Sequence, residues 1–139
     1  MKMRFPMATV RIAVLQPILP HEMKPAQRLD RQLSMCDQAV RTGAECVFFP
    51  EFFLGSGYAM DLHGGSAEFE AVKGYAREKH VVLGVNAFTP TEGTSQGVYN
   101  SVVIVDSTGN LGTVYHKCRP YAAWEPVLAA SAGHKLRLG

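Results

Sequence analysis

The 139-residue sequence has few cysteines, little net charge and no long hydrophobic run. A membrane-spanning helix needs about 20 consecutive apolar residues, and no segment approaches that length. The 14 basic and 12 acidic residues are spread along the chain and leave a net charge of +2, so the clustered basic surface of a nucleic-acid-binding protein is missing. These absences favour a soluble protein that binds neither membranes nor nucleic acids.

The cysteines Cys36, Cys46 and Cys118 are odd in number, form no CxxC pair and have no histidine at metal-ligand spacing. This pattern predicts reduced thiols, a cytoplasmic location and no metal site. The glycines at residues 55 and 57 lack the third glycine of a dinucleotide-binding motif, so we expect no cofactor. Pro6 and Arg11 interrupt the apolar N-terminal stretch, and no small-residue cleavage site follows it. We therefore do not expect a signal peptide.

The first half of the chain predicts a strand, a helix and a second strand. The apolar run at residues 10–16 is typical of a strand buried on both faces. At residues 25–42 apolar positions recur every three or four residues, which predicts an amphipathic helix that ends at Gly43. A second apolar run at residues 46–49 ends at Pro50, which cannot donate to a strand ladder. This order predicts a βαβ unit with parallel strands.

The second half predicts one further helix and three further strands. They are a helix at residues 66–79 and strands at residues 81–88, 98–106 and 111–116. The turn residues at 107–110 join the last two strands as an antiparallel hairpin, and residues 52–65 form a glycine-rich loop. We therefore predict an α/β fold with a mixed sheet and helices on one face. Because only two helices are predicted, we expect a further segment or chain to cover the second face.

Two charged residues follow predicted strands at positions suited to catalysis. Glu51 follows an apolar strand, where ligand crevices of α/β sheets lie, and its carboxylate is either a general base or a solvated group. Lys117 ends the last strand, and its ammonium either stabilises an oxyanion or is solvated. Glu125, between Trp124 and Pro126, either orients that lysine or a water molecule, or lies on the surface.

Five motifs occur in a characteristic order along the chain. They are VRIAVLQ, GAECVFFPEFF with Glu51, VVLGV, YNSVVIVDSTGNLG and VYHKCRPY with Lys117. In this order, with Glu51 and Lys117 66 positions apart, they resemble the nitrilase superfamily, also called carbon-nitrogen hydrolases. The resemblance extends over nearly the whole chain from Val10 onward. Tyr99 and Asn100 match the family's YN pair, to which we assign a structural role.

The resemblance implies a fold and a chemistry. Family members are αββα sandwiches that hydrolyse nitriles, amides or carbamoyl groups through a Glu, Lys, Cys triad, often with a second Glu. By this resemblance Glu51 is the general base, Lys117 stabilises the tetrahedral intermediate and Glu125 is the second Glu. The family also pairs through its outer helices, so the resemblance implies a homo-oligomer that acts on a small-molecule substrate. Residues 117–121 and 124–126 are more similar to the amidase branches than to true nitrilases.

The sequence departs from the family pattern at the nucleophilic cysteine. The family's cysteine lies some tens of residues beyond the lysine, and no residue up to Gly139 matches it. Cys118 is adjacent to Lys117, so its side chain is expected on the opposite face of an extended strand. Cys36 and Cys46 fall on a buried helix stripe and inside a strand, where thiols are inert. We therefore expect residues 1–139 to be a single incomplete domain, the N-terminal part of the sandwich, and to be inactive alone.

Two other hypotheses remain open at the level of sequence. One is a non-catalytic homologue that binds a partner chain or a small ligand, and the other is an unrelated α/β domain in which Glu51 and Lys117 are incidental. The distance between the Glu51 carboxylate and the Lys117 ammonium tests the unrelated domain, because a catalytic pair must converge on one pocket. A reading frame that continues past Gly139 into a strand and a cysteine-containing turn would favour the enzyme over the non-catalytic homologue. The aromatic residues Tyr58, Tyr121 and Trp124 either line that pocket or pack in loops.

Overall fold

The computed structural model describes residues 8–55, 58–91, 97–119 and 130–131. The elements are β1 (Ile12–Val14), α1 (Pro25–Arg41), β2 (Cys46–Phe48), α2 (Ala67–Lys79), β3 (Val82–Pro90), β4 (Val98–Val105), β5 (Leu111–His116) and β6 (Ala130–Ser131). They form one mixed sheet in the order β1-β2-β3-β4-β5, and β6 pairs with β4. The predicted α/β fold with a mixed sheet is confirmed, and β6 is an addition to the prediction.

The parallel half of the sheet contains β1, β2 and β3, with α1 and α2 as the connections between them. Each helix buries one apolar stripe: α1 buries Leu29 and Cys36, and α2 buries Phe69 and Val72. The predicted βαβ unit is therefore confirmed. With 17 and 13 residues, neither helix of the described ranges has the length and apolarity that crossing a membrane requires.

The helix ends follow the local signals in the sequence. Ser66 caps α2, because its Oγ accepts a hydrogen bond of 3.2 Å from the backbone N–H of Phe69. Gly43, just beyond the end of α1, has a φ of 88°, a conformation that glycine adopts without steric cost. At the end of α2 the left-handed position is occupied by His80 instead, with a φ of 53°.

The antiparallel half of the sheet contains β3, β4 and β5. The predicted hairpin between β4 and β5 is confirmed, and Asp106 organises its turn. The Asp106 carboxylate accepts hydrogen bonds from the backbone N–H groups of Thr108 and Asn110, at 2.9 Å each, and from the Thr108 hydroxyl at 2.7 Å. Gly109 completes the turn with a φ of 83°.

The core lies between one face of the sheet and the two helices. Val47, Leu83 and Val103 are fully buried there, in one cluster with the apolar stripes of α1 and α2. On the opposite face Ile12 and Val14 are 59% and 69% exposed. The prediction that the first strand is buried on both faces is therefore wrong: β1 is an edge strand, and one of its faces has no cover in the described structure.

Candidate active site

Glu51 lies in a tight turn, residues 51–54, that leaves the carboxyl end of β2. Its side chain is 49% exposed, whereas Phe53 and Leu54 are buried and anchor the turn in the core. The Phe53 ring contacts the Phe49 ring at a centroid distance of 4.8 Å. The buried Gln32 of α1 donates a hydrogen bond of 2.6 Å to the Phe53 carbonyl. The buried residues thus fix the turn to the core, and the Glu51 carboxylate remains accessible to solvent.

Phe52 holds an unusual backbone conformation beside that carboxylate. Its φ is 59°, in the left-handed region, which costs a non-glycine residue about 1–3 kcal/mol unless its surroundings enforce it. The backbone N–H of Phe52 donates a 2.7 Å hydrogen bond to Oδ1 of Asn86 in β3. This hydrogen bond ties the turn directly to the sheet.

Lys117 follows the last residue of β5 and extends its ladder by one hydrogen bond, from its backbone N–H to the Asn100 carbonyl at 2.8 Å. Its Nζ lies 3.1 Å from Oε1 of Glu51. The two side chains are 34% and 49% exposed, so solvent screens the pair and its contribution to folding stability is small. The importance of the pair is its position, because an ammonium and a carboxylate meet at one end of the sheet.

Two amides connect this pair to the sheet. The Asn100 Nδ2 donates to Oε1 of Glu51 at 2.7 Å, and the Asn86 Nδ2 donates to Oδ1 of Asn100 at 2.6 Å. A further hydrogen bond of 2.9 Å runs from the Asn86 Nδ2 to the Ser101 carbonyl. Both asparagines are buried. Glu51, Lys117, Asn100 and Asn86 thus form one hydrogen-bonded group, here called the amide-carboxylate group.

Sequence reasoning assigned Asn100 only a structural role and missed Asn86. The structure places the Asn100 amide directly on the carboxylate of Glu51. For Asn86 a signal was present, since it interrupts the apolar run of β3, and a buried amide must find hydrogen-bond partners. Nothing local in the sequence indicates which partners it finds.

The opposite face of the same strand ends carries a second polar cluster. The Ser101 Oγ lies 2.7 Å from Oγ1 of Thr89 and 2.8 Å from Nδ1 of His116. The His116 ring stacks on Tyr99 at a centroid distance of 4.2 Å. Successive side chains of a strand alternate between faces, so Lys117 lies on the face opposite to His116.

All three cysteines of the chain are thiols rather than disulfides. Cys36 is fully buried between the helices and the sheet, and burial raises the pKa of its thiol. Cys46 is half-buried in β2. The Cys118 Sγ lies 3.7 Å from the His116 carbonyl and 3.8 Å from the Tyr115 hydroxyl. Within the described ranges, no three His, Cys, Asp or Glu side chains are grouped as a metal would require.

The remaining predicted site residues are Tyr58, Glu125, Tyr121 and Trp124, and the structure describes only the first of them. The Tyr58 hydroxyl donates a hydrogen bond to the Glu68 carboxylate, and burial, followed by this contact, raises the pKa of Tyr58 to about 12. Tyr58 therefore ties the loop after Glu51 to the first turn of α2. Glu125, Tyr121 and Trp124 lie outside the described residues, so their proposed roles remain predictions.

Residues 11–135 match the family described as carbon-nitrogen hydrolase. The chain belongs to this family. The match covers most of the chain, and it excludes the hypothesis of an unrelated α/β domain. A comparison with curated proteins finds no significant match.

Solved structures of carbon-nitrogen hydrolases share the fold of this chain. An amidase from Nesterenkonia sp. superposes with a TM-score of 0.72 at 22% identity, over 91% of this chain and 49% of the amidase. A carbon-nitrogen hydrolase from Helicobacter pylori G27 superposes with a TM-score of 0.70 at 16% identity, over 90% of this chain and 45% of that protein. The chain thus spans about half the length of the solved structures that it matches.

Proposed function

We propose that the protein hydrolyses non-peptide carbon-nitrogen bonds in small linear amides or carbamoyl compounds, through a Glu, Lys, Cys mechanism. The observation that carries the proposal is the 3.1 Å contact between Lys117 Nζ and Glu51 Oε1, in a chain of the carbon-nitrogen hydrolase family. An accessible carboxylate beside an accessible ammonium offers a proton acceptor and a positive charge to one substrate.

Each residue of the proposed site has a defined chemical task. Glu51 takes the thiol proton of a cysteine, whose sulfur then forms a bond to the substrate carbonyl carbon. The Lys117 ammonium stabilises the negative charge that develops on the carbonyl oxygen. Glu51 returns the proton to the leaving nitrogen as the carbon-nitrogen bond breaks. Water then attacks the thioester and loses a proton to Glu51. As the carbon-sulfur bond breaks, Glu51 returns this proton to the sulfur, and the acid product and the thiol are released. We assign Glu125 the role of a second Glu that assists this site.

The proposal requires a nucleophilic cysteine that residues 1–139 do not supply. We therefore propose that residues 1–139 are one part of a domain whose other part carries this cysteine. Support comes from relatives of about twice the length. In a variant of the Nesterenkonia sp. AN1 amidase, the acetamide moiety of fluoroacetamide is covalently added at the active-site cysteine. In this chain Cys36 is fully buried and Cys46 lies in β2, which disfavours either thiol as the nucleophile.

An amide is preferred over a nitrile as the substrate class. A variant of the Nesterenkonia sp. AN1 amidase has been solved in complex with butyramide, and another with acrylamide. In the proposed site the Lys117 ammonium can donate to a carbonyl oxygen, and the Glu51 carboxylate can accept from an amino group. Butyramide and acrylamide are therefore the first substrates to test.

The test is ammonia release from butyramide by the protein expressed from its complete reading frame. We expect Glu51→Gln to lower kcat by about 10²–10⁴-fold, because general-base catalysis is lost. We expect Lys117→Met to lower kcat by about 10²–10³-fold, because the charge at the oxyanion is lost. Glu70→Gln and Lys73→Met are matched controls, since these residues form a second Glu–Lys ion pair at 2.6 Å on the surface of α2.

Three results would contradict the proposal: wild-type turnover in Glu51→Gln, equal losses in the control variants, or no turnover of any tested amide by the wild-type protein. Amide binding without turnover would favour the non-catalytic homologue. Calorimetric titration of the wild-type protein with butyramide separates that outcome from an absence of binding.

A further inference from the structure

We infer that Asn86 is a positioning residue for the proposed general base, and that it acts on Glu51 through both the Asn100 amide and the Phe52 backbone. The inference rests on the proposed function, because it gives a catalytic consequence to the amide-carboxylate group. Asn86 does not contact Glu51 itself: its side chain bonds to Asn100, to Ser101 and to the Phe52 N–H.

The first route determines the orientation of Asn100. A side-chain amide has a donor end and an acceptor end, and either can point at a neighbour. Because the Asn86 Nδ2 donates to Oδ1 of Asn100 at 2.6 Å, the Asn100 Nδ2 is directed at Glu51, 2.7 Å away. In the reversed orientation two amino groups would oppose each other, and a carbonyl oxygen would oppose the carboxylate. Among the described residues, the observed orientation therefore pairs the Asn86 donor with the Asn100 oxygen and the Asn100 donor with the Glu51 carboxylate.

The second route fixes the backbone that carries the carboxylate. Oδ1 of Asn86 accepts the Phe52 N–H at 2.7 Å, and Phe52 holds a φ of 59°. Residues in this region persist only where neighbouring contacts enforce them. Without the Asn86 acceptor, the peptide between Glu51 and Phe52 loses its buried partner and is free to relax. The carboxylate would then move relative to Lys117.

The geometry also determines the orientation of the Glu51 carboxylate. Among the described residues, both side-chain donors to Glu51, Asn100 and Lys117, reach Oε1. These two donors therefore fix the position of Oε1, and with it the orientation of the carboxylate, relative to β4 and β5. A general base must be held within hydrogen-bond reach of the proton it abstracts, so control over the carboxylate orientation is control over turnover.

The test is Asn86→Ala in the protein expressed from its complete reading frame, compared with Thr89→Val. Thr89 is a matched control because it is buried in the same strand and its hydroxyl bonds to Ser101 on the opposite face, away from Glu51. We expect Asn86→Ala to lower kcat for butyramide by about 10–100-fold, as a misplaced catalytic group does, with KM changed by less than about threefold. Thr89→Val should lower stability to denaturant while kcat stays at the wild-type value.

A crystal structure of Asn86→Ala supplies a measurement that does not depend on activity. We expect the distance between Glu51 Oε1 and Lys117 Nζ to grow from 3.1 Å to beyond about 4 Å, the limit of an ion pair. If Asn86→Ala does not fold, Asn86→Asp takes its place, because a carboxylate keeps the acceptor for the Phe52 N–H but cannot donate to Asn100. A loss of kcat of at least about 10-fold is expected in that variant, because the Asn100 route is broken while the Phe52 route is kept.

The inference is wrong if the 3.1 Å contact persists in the variant, or if kcat falls no further than in Thr89→Val. Loss of turnover in Glu51→Gln together with wild-type turnover in Asn86→Ala would retain the proposed function and reject the positioning role. Full turnover in Glu51→Gln would reject the proposed function, and the crystal structure of Asn86→Ala would still decide whether Asn86 positions the carboxylate.

Discussion

Glu51 is accessible, whereas the residues that hold it are buried. Phe53 and Leu54 lie in the core within three positions of it, and Gln32 donates to the Phe53 carbonyl from α1. An accessible carboxylate on a rigid support loses little orientational freedom when it reacts, which is a requirement for catalysis rather than for folding. Glu51 and Lys117 were predicted as site residues because each follows an apolar strand within a motif that resembles the carbon-nitrogen hydrolases. The buried polar residues that support them were not predicted as a set.

Gln32→Leu tests the support of the turn at the level of one residue. Leu cannot donate to the buried Phe53 carbonyl, but it also removes Gln32 Oε1, a buried atom that has no hydrogen-bond partner in the described structure. The two effects oppose each other, so we expect the free energy of unfolding to fall by only about 1 kcal/mol. Urea denaturation measures it.

Gln38→Leu is the matched control for Gln32→Leu, because Gln38 is an exposed glutamine of the same helix. We expect no loss of stability there. A stability loss in Gln38→Leu as large as in Gln32→Leu would mean that the buried amide has no special role.

The strand order explains why two side-chain amides lie between Glu51 and Lys117. β2 and β5 are separated by β3 and β4, so at about 4.8 Å per strand their axes lie about 14 Å apart. The turn at residues 51–54 and the long Lys117 side chain together close that gap. Asn86 and Asn100 belong to the two intervening strands, and their hydrogen bonds fill the space beneath the Glu51–Lys117 contact. The register of β3 against β4 places these amides on the same face.

We expect the folding stability of the protein to depend on pH through Asp106, which lies in the turn between β4 and β5. The Thr108 hydroxyl, followed by the Asn110 backbone N–H, lowers the pKa of Asp106 below its usual 3.8. A lowered pKa stabilises the folded protein above the unfolded value, and this stability is lost as the pH falls through the folded value. We therefore expect Asp106→Asn to be less stable than wild type at pH 7, and this difference to narrow below about pH 4.

Chemical denaturation of wild type and Asp106→Asn between about pH 3 and pH 7 measures that difference. Glu45, an exposed acid outside this turn, provides a comparison as Glu45→Gln. A difference between wild type and Asp106→Asn that stays constant over the whole pH range would show that the Asp106 charge contributes nothing.

The whole molecule has one covered and one uncovered sheet face in the described structure. The helices cover the face that carries Val47, Leu83 and Val103. The other face exposes Ile12 and Val14 at 59% and 69%. Exposed apolar side chains on one face of a sheet indicate an interaction site or a face buried by further protein. Homo-oligomerisation and a cytoplasmic location remain predictions from the sequence.

Dye binding tests the uncovered face. We expect the 139-residue chain to increase ANS fluorescence, and Val14→Thr with Val102→Thr to reduce it, because both residues are exposed on the uncovered face. Val10→Thr is a control for exposure alone, since Val10 is 53% exposed but precedes the sheet. Equal ANS fluorescence in the double variant and the wild-type chain would mean that this face does not bind the dye.

The sequence by itself determined the elements, the mixed sheet, the family and the candidate residues Glu51 and Lys117. These depend on local signals: apolar periodicity, turn residues and motif order. The tertiary structure alone decided that Lys117 reaches Glu51 and that Asn86 and Asn100 connect them to the sheet, since these contacts join residues 14 to 66 positions apart. Such contacts depend on strand order and register, which arise only when distant segments pair. The prediction that β1 is buried on both faces was wrong for the same reason, because the burial of a strand depends on which elements lie against it.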